Sequence, residues 1–327
     1  MNIQELQNLY ARSAQVAQLA KAVEKNGVKA VFLEGLLASA TPLVFSGLAQ
    51  KTSQTMLFVL QDADEAGYFY HDLCQIMGET AVLYFPSSYR RAIKYGQKDA
   101  ASEILRTEVL TSVGQCVMDN GLCTKNNGRS LFVVTYPEAL AEMVVTRKNL
   151  DSRTLTLEQG QTVDVDDTLQ TLRDFGFHEV DYVYEPGQFA LRGSILDVFS
   201  FSHEFPFRID FFGDETDSIR TFEVENQLSK ERRGRVDIVP ELTGVEEKES
   251  LLRFLPADAW LVFKNYDFVR DTIENAYQEG FSSQAMTERL EGATEVERYQ
   301  IEYELRRECQ IITGSQFAAD AEPFRKI

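Results

Sequence analysis

The sequence predicts an α/β protein in which a parallel-sheet domain is interrupted by an antiparallel α+β module. Two changes of texture carry that prediction. From residue 30 to about 145, short apolar runs alternate with amphipathic stretches, as crossover units of a parallel sheet require. From about Thr154 the pattern becomes aromatic and period-two, with turn signals at "EPGQ", "RG" and "FGDE", and the first texture returns after "DIVPEL". The expected organisation is a first α/β part over 1–153, an inserted α+β module over 154–239 and a second α/β part over 240–327.

The elements follow in order. Ile3, Leu6, Leu9, Val16, Leu19 and Val23 recur near one helical face and predict a helix over 3–24. Strands are expected at 30–34, 56–60, 81–85 and 131–135, separated by helices at 42–50, 63–77, 98–113 and 137–145. In the module a helix near 167–175 precedes the aromatic strands. Past it, "FLPADAWLVFKNYDFV" returns to α/β and a charged helix is expected around 286–308. The chain after about Gly314 reads as loop and lacks a C-terminal cap signal, as if it stopped inside a longer protein.

With 327 residues and 44% hydrophobic content the chain can bury real cores. A net charge of -18 argues against a broad nucleic-acid or membrane surface, because phosphate backbones are held by clustered Lys and Arg. Between residues 154 and 239, 18 acidic side chains face 8 basic ones, so over half of that net charge lies in the module. Cys74, Cys116, Cys123 and Cys309 have no C-x-x-C spacing, and His71, His178 and His203 are too few to complete a convincing metal site; reduced core thiols are expected. The N-terminus is neither a signal peptide nor a membrane span, which makes the cytoplasm the expected location.

"VFLEGLLASATPLVFSGLAQ", residues 31–50, has the strand-glycine-helix form in which nucleotide enzymes hold phosphate. Such a loop needs two glycines, a lysine for the outer phosphates and a hydroxyl for magnesium. Laid from Gly35, the template puts Ala40 on the second glycine, Thr41 on the lysine and Pro42 on the hydroxyl. No functional nucleotide or metal site is expected there. "YRRAIKYGQK", residues 89–98, has basic and aromatic residues that could hold single-stranded DNA, with a solvated loop as the plainer reading.

The most informative segment is "FPFRIDFFGDETDSIRTFEV", residues 205–224. Alternation along a strand puts Phe207, Ile209 and Phe211 on a core face and Arg208, Asp210 and Phe212 on the other. A guanidinium and an exposed ring together suit a protein interface. In "GQFALRGSILDVFS", residues 187–200, Arg192 stands just before Gly193, where a bend is expected.

The run from "YEPGQFALRGSILDVFSFSHEFPFRIDFFGDETDSIR" onward resembles the UvrB-homology module of bacterial transcription-repair coupling factors. The resemblance implies a degenerate helicase-like, P-loop-like fold that has kept its architecture and lost its nucleotide chemistry. UvrB itself has an intact phosphate loop and a long aromatic hairpin used as a wedge in DNA. Neither is evident here, and "LYFPSSYRRAIKYGQKDAASEIL", residues 83–105, runs from strand to helix without that insertion. Lys264 and Asn265 stand where related repair proteins can show an Asp-Glu magnesium pair. The resemblance further implies that the inserted module binds UvrA through Arg192, Arg208 and Phe212; Asp210, on the same strand face as Arg208, is expected to join that surface and to orient Arg208. ATP, magnesium, RNA polymerase and double-stranded DNA would belong to motor and polymerase-binding domains elsewhere in a parent chain, where a far C-terminal domain would mask the UvrA face.

Overall fold

The computed structural model describes residues 2–25, 27–36, 39–88, 100–118, 130–242, 245, 247–280, 290, 293–296, 298–299 and 310–327. In chain order the first helices are α1 (Ile3–Ala11), α2 (Ala14–Glu24) and α3 (Ala40–Ala49), followed by β1 (Met56–Val59), α4 (Ala63–Met77), β2 (Val82–Tyr84), α5 (Ala100–Met118), β3 (Phe132–Thr135), α6 (Pro137–Ala141) and β4 (Val144–Val145). Next come α7 (Arg147–Ser152), β5 (Leu155–Glu158), α8 (Val165–Asp174), β6 (His178–Glu179), β7 (Gln188–Arg192), β8 (Ile195–Val198), β9 (Phe207–Phe212), β10 (Glu215–Phe222), β11 (Ser229–Arg233) and β12 (Arg235–Ile238). The last elements are β13 (Lys248–Glu249), β14 (Trp260–Phe263), α9 (Tyr266–Gly280), α10 (Gly314–Ala321) and β15 (Arg325–Lys326). The architecture is mixed α/β, with one parallel sheet and separate antiparallel ones.

Two compact units divide the chain. One contains residues 1–102, 112–144 and 248–327, and the other contains 103–111 and 145–247. The first is built on the five-stranded sheet β15-β14-β1-β3-β2, whose neighbours are all parallel. Met56, Leu57, Phe58 and Val59 are all buried, as are the four residues of β3, because a parallel sheet is covered on both faces. Phe58 sits among Phe45, Phe69 and Phe132 with ring centroids 4.9–5.2 Å apart.

The expected helix over 3–24 is two helices. Ser13 interrupts it, because its side chain accepts from the Val16 N-H at 3.2 Å and starts α2 afresh. The expected strand at 30–34 reduces to one parallel bridge, Ala30 to Lys326. The helix at 137–145 stops at Ala141 and gives way to β4. The terminal segment expected as loop forms α10 and β15; Thr313 and Gln316 make a reciprocal capping box that starts the helix. Most of the helix expected at 286–308, and the whole of residues 89–98, lie outside the described residues.

The second unit is dominated by the six-stranded sheet β11-β10-β9-β8-β7-β6, antiparallel except for its β6–β7 edge. One face supplies Phe189, Leu196, Val198, Phe207, Ile209, Phe211 and Ile219 to a core closed by Leu169 and Leu172 of α8 and by the β5–β12 pair. Gly193 and Gly213, with φ of 63° and 60°, stand at the first position of two-residue hairpin turns, where a primed turn demands positive φ. Because β7 and β9 both pair antiparallel with β8, Arg192 and Phe212, the residues before those turns, reach the same end of the sheet.

Close packing sets one stability prediction. A Cβ on Gly47 of α3 would lie 2.9 Å from the backbone nitrogen of Ala11, whereas a Cβ on Gly67 of α4 meets open space. Gly47→Ala should therefore lower unfolding free energy by about 1–2 kcal/mol, overpacking outweighing helix propensity, while Gly67→Ala should raise it by up to ~1 kcal/mol. Urea denaturation checks both signs.

Candidate functional site

The second face of the six-stranded sheet gathers polar groups beside a small buried apolar cluster of Val183, Ala190, Phe199 and Phe222. Antiparallel register aligns side chains into rows on one face. Ala190, Asp197, Arg208, Arg220 and Arg232 form one row across β7 to β11. Arg192, Ile195, Asp210 and Ser218 form the next, and Phe212 lies one step beyond. The four residues picked from the sequence therefore share this face.

Asp197 is the hub of the face. Its carboxylate is fully buried and accepts from the Nε of Arg208 at 2.7 Å and from its Nη2 at 2.9 Å. The Nη2 of Arg192 donates to the same carboxylate. Arg208 also donates to the Gln227 carbonyl at 3.1 Å and lies over the Phe222 ring at 4.5 Å, leaving its side chain only 15% exposed. The hydrogen bond to Asp197 raises the Arg208 guanidinium's pKa above its ordinary value, against the opposing effect of burial. Gln227, held by this arginine, is the described non-glycine residue with positive φ, at 60°.

Arg192 is more open. Its side chain is 35% exposed, its Nη1 donates to the Asp181 carbonyl at 3.0 Å, and its guanidinium lies 4.9 Å from the Tyr182 ring centre. Phe212 is 82% exposed. Tyr182 and Leu228 are exposed as well. Asp210 does not orient Arg208: it faces Arg220 at 3.6 Å and accepts from Ser194 at 3.2 Å. The reason is register, since Asp197 stands directly opposite Arg208, whereas Asp210 is two residues along the same strand.

The phosphate-loop template falls on a cleft of about 610 Å³ in the first unit, at the C-terminal ends of β1 and β14. Gly35 has φ of 84°, a value suited to glycine, while Leu37 and Ala38 lie outside the described residues. Ala40 opens α3, and Thr41 and Pro42 line the cleft with Phe32, Phe45 and Tyr68. Lys264 forms an ion pair with Glu65, and Asn265 caps α9 by accepting from the Phe268 N-H at 3.0 Å. Asp72 completes the charged lining. Among the described residues, no group of three or more His, Cys, Asp and Glu could hold a metal ion, and no helix is long and apolar enough to cross a membrane.

Residues 155–243, which lie within the second unit, match the UvrB interaction domain family. The chain is also similar to transcription-repair-coupling factors. It is 27% identical to that of Bacillus subtilis (strain 168) over 214 residues, which cover 65% of this chain and 17% of the relative. Identity to the Escherichia coli (strain K12) factor is 36% over 101 residues, 31% of this chain and 9% of the relative. The Staphylococcus aureus (strain NCTC 8325 / PS 47) factor is 28% identical over 204 residues, 62% of this chain and 16% of the relative. The resemblance read from the sequence is borne out, and the chain spans about a sixth of the Bacillus subtilis and Staphylococcus aureus relatives and 9% of the Escherichia coli one.

Sequence reasoning missed Asp197, Tyr182 and Gln227, whose roles appear only once strands are paired. Removing the Asp197 charge leaves two guanidiniums without their shared partner. Asp197→Asn should lower unfolding free energy by about 3 kcal/mol or more, the usual range for breaking a buried pair from one side. Chemical denaturation of the chain measures this, and an unchanged midpoint would show that Asp197 does not hold the arginines.

Proposed function

We propose that this chain is part of a transcription-repair coupling factor and that its six-stranded-sheet module docks UvrA, recruiting nucleotide excision repair to stalled RNA polymerase. The observation that carries the reading is Phe212. A phenylalanine 82% exposed beside an ordered arginine cluster, inside a UvrB interaction domain, has the form of a binding anchor. Phe212 supplies apolar area to be desolvated. Arg192 offers a planar donor with one-third of its side chain open, Arg208 fixes the face from within, and Asp210 sets the position of Arg220. Binding of this kind needs no cofactor in this chain, and the acidic module disfavours DNA.

The first unit is, on this reading, a helicase-like domain whose nucleotide site is degenerate. Open parallel sheets hold ligands at the C-terminal ends of their strands, which is where the 610 Å³ cleft lies. Its charged groups, however, are Glu65, Asp72 and a Lys264 already paired with Glu65. That lining opposes a triphosphate, and Pro42 takes a helix-start position with no N-H to offer. ATP, magnesium, RNA polymerase and duplex DNA would be bound by other domains of a longer cytoplasmic protein.

Calorimetric titration with UvrA tests the docking. Phe212→Ala should weaken affinity roughly thirtyfold, equivalent to about 2 kcal/mol, without changing the circular dichroism spectrum. Unaltered affinity would remove this face from the interface. Equilibrium binding of labelled ATP should show no saturable site, with or without magnesium; saturation in the micromolar range would restore a working nucleotide pocket.

A further inference from the structure

The module has an excess of carboxylates, and its cations are almost fully matched to them. Arg173 pairs with Glu179, Arg192 and Arg208 with Asp197, Arg220 with Asp210, Lys230 with Glu223, Arg233 with Glu231, and Arg235 with Glu158 and Asp237. Among the described residues between 154 and 239, Arg232 is the one basic side chain without a carboxylate partner. In a region where 18 acidic residues outnumber 8 basic ones, that is an unexpected place for an unmatched charge.

Its position sharpens the point. Arg232 is exposed on β11, the edge of the sheet, directly opposite Arg220, which in turn is directly opposite Arg208. Like charges facing each other across strands are destabilising. Asp197 pairs with Arg208, as it does with Arg192, and Asp210 pairs with Arg220, but among the described residues no carboxylate forms an ion pair with Arg232. The Nε of Arg220 is also buried without a hydrogen-bond partner. Edge strands carry charge to deter pairing with other chains, yet Lys230, Glu231 and Arg233 already do this on β11. A repulsive arginine row that ends in an uncompensated member is explained by a carboxylate arriving from outside.

We propose that Arg232 is the specificity-determining cation of the docking face, pairing with an acidic segment of UvrA while Arg192 and Arg208 remain committed to Asp197. This inference rests on the UvrA-docking reading and assigns its outward charge to a residue that the resemblance does not mark. The contact area would then run across the sheet's second face from Phe212 to the β11 edge.

The test is titration of UvrA into the wild-type chain and into Arg232→Glu, Arg232→Lys and Phe212→Ala, at low and high salt, with thermal denaturation of each. Arg232→Glu should weaken binding at least tenfold, Arg232→Lys should retain much of the affinity, and the wild type should lose more affinity with salt than Arg232→Glu does. The melting temperature of Arg232→Glu should be unchanged or higher, since the row loses a repulsion; a merely structural arginine would lower it. Undiminished binding by Arg232→Glu alongside weakened binding by Phe212→Ala would overturn the Arg232 assignment and leave the docking face in place. Undiminished binding by both would overturn the docking face itself, and the assignment with it.

Discussion

The buried carboxylate of Asp197 governs the second face of the module. It gathers Arg208 from the neighbouring strand β9 and Arg192 from β7 on the other side, so side-chain bonds cross-link three strands on the face opposite the core. Taking an aspartate fully out of water is costly, and its two charge-assisted partners do little more than offset that cost. The gain is therefore geometric. Arg208 lies over the Phe222 ring and donates to the Gln227 carbonyl, in the β10–β11 loop, where Gln227 has a backbone conformation that a non-glycine residue seldom adopts.

That arrangement is possible because stability is supplied on the reverse side. Phe207, Ile209 and Phe211 are buried against α8 and the β5–β12 pair, leaving the alternate positions of the same strand free for polar and exposed groups. Phe212 breaks the usual economy of a sheet surface: it stands open at the end of β9, beside the hairpin turn at Gly213. A rigid scaffold with an exposed ring and pre-set arginines loses little conformational entropy when a partner arrives. The acidic surround, 18 carboxylates to 8 basic side chains between residues 154 and 239, disfavours phosphate backbones.

Much of this was legible before any strand was paired. Alternation alone separated Phe207, Ile209 and Phe211 from Arg208, Asp210 and Phe212, because period-two geometry is a local property. Helix α4 begins and ends where its apolar spacing predicts, with Asp62 capping it. Asp197 was hidden because "ILDVF" reads as an ordinary core strand; its meaning depends on the register Asp197 to Arg208, which is non-local. For the same reason Asp210, near Arg208 in sequence, was assigned a partner that it does not contact. Residues 30–34 misled through apolar content, since only Ala30 finds a strand neighbour, whereas the helix at Gly314 carried a readable signal in Thr313 and Gln316.

The most direct measurement is hydroxyl-radical footprinting of the chain alone and in complex with UvrA, read side chain by side chain. Binding should shield Phe212, Tyr182 and Leu228 while leaving the labelling of Phe32 and Tyr68, at the cleft of the other unit, unchanged. Continued labelling of Phe212 in a saturated complex would contradict the assignment of the second sheet face as the place where UvrA docks.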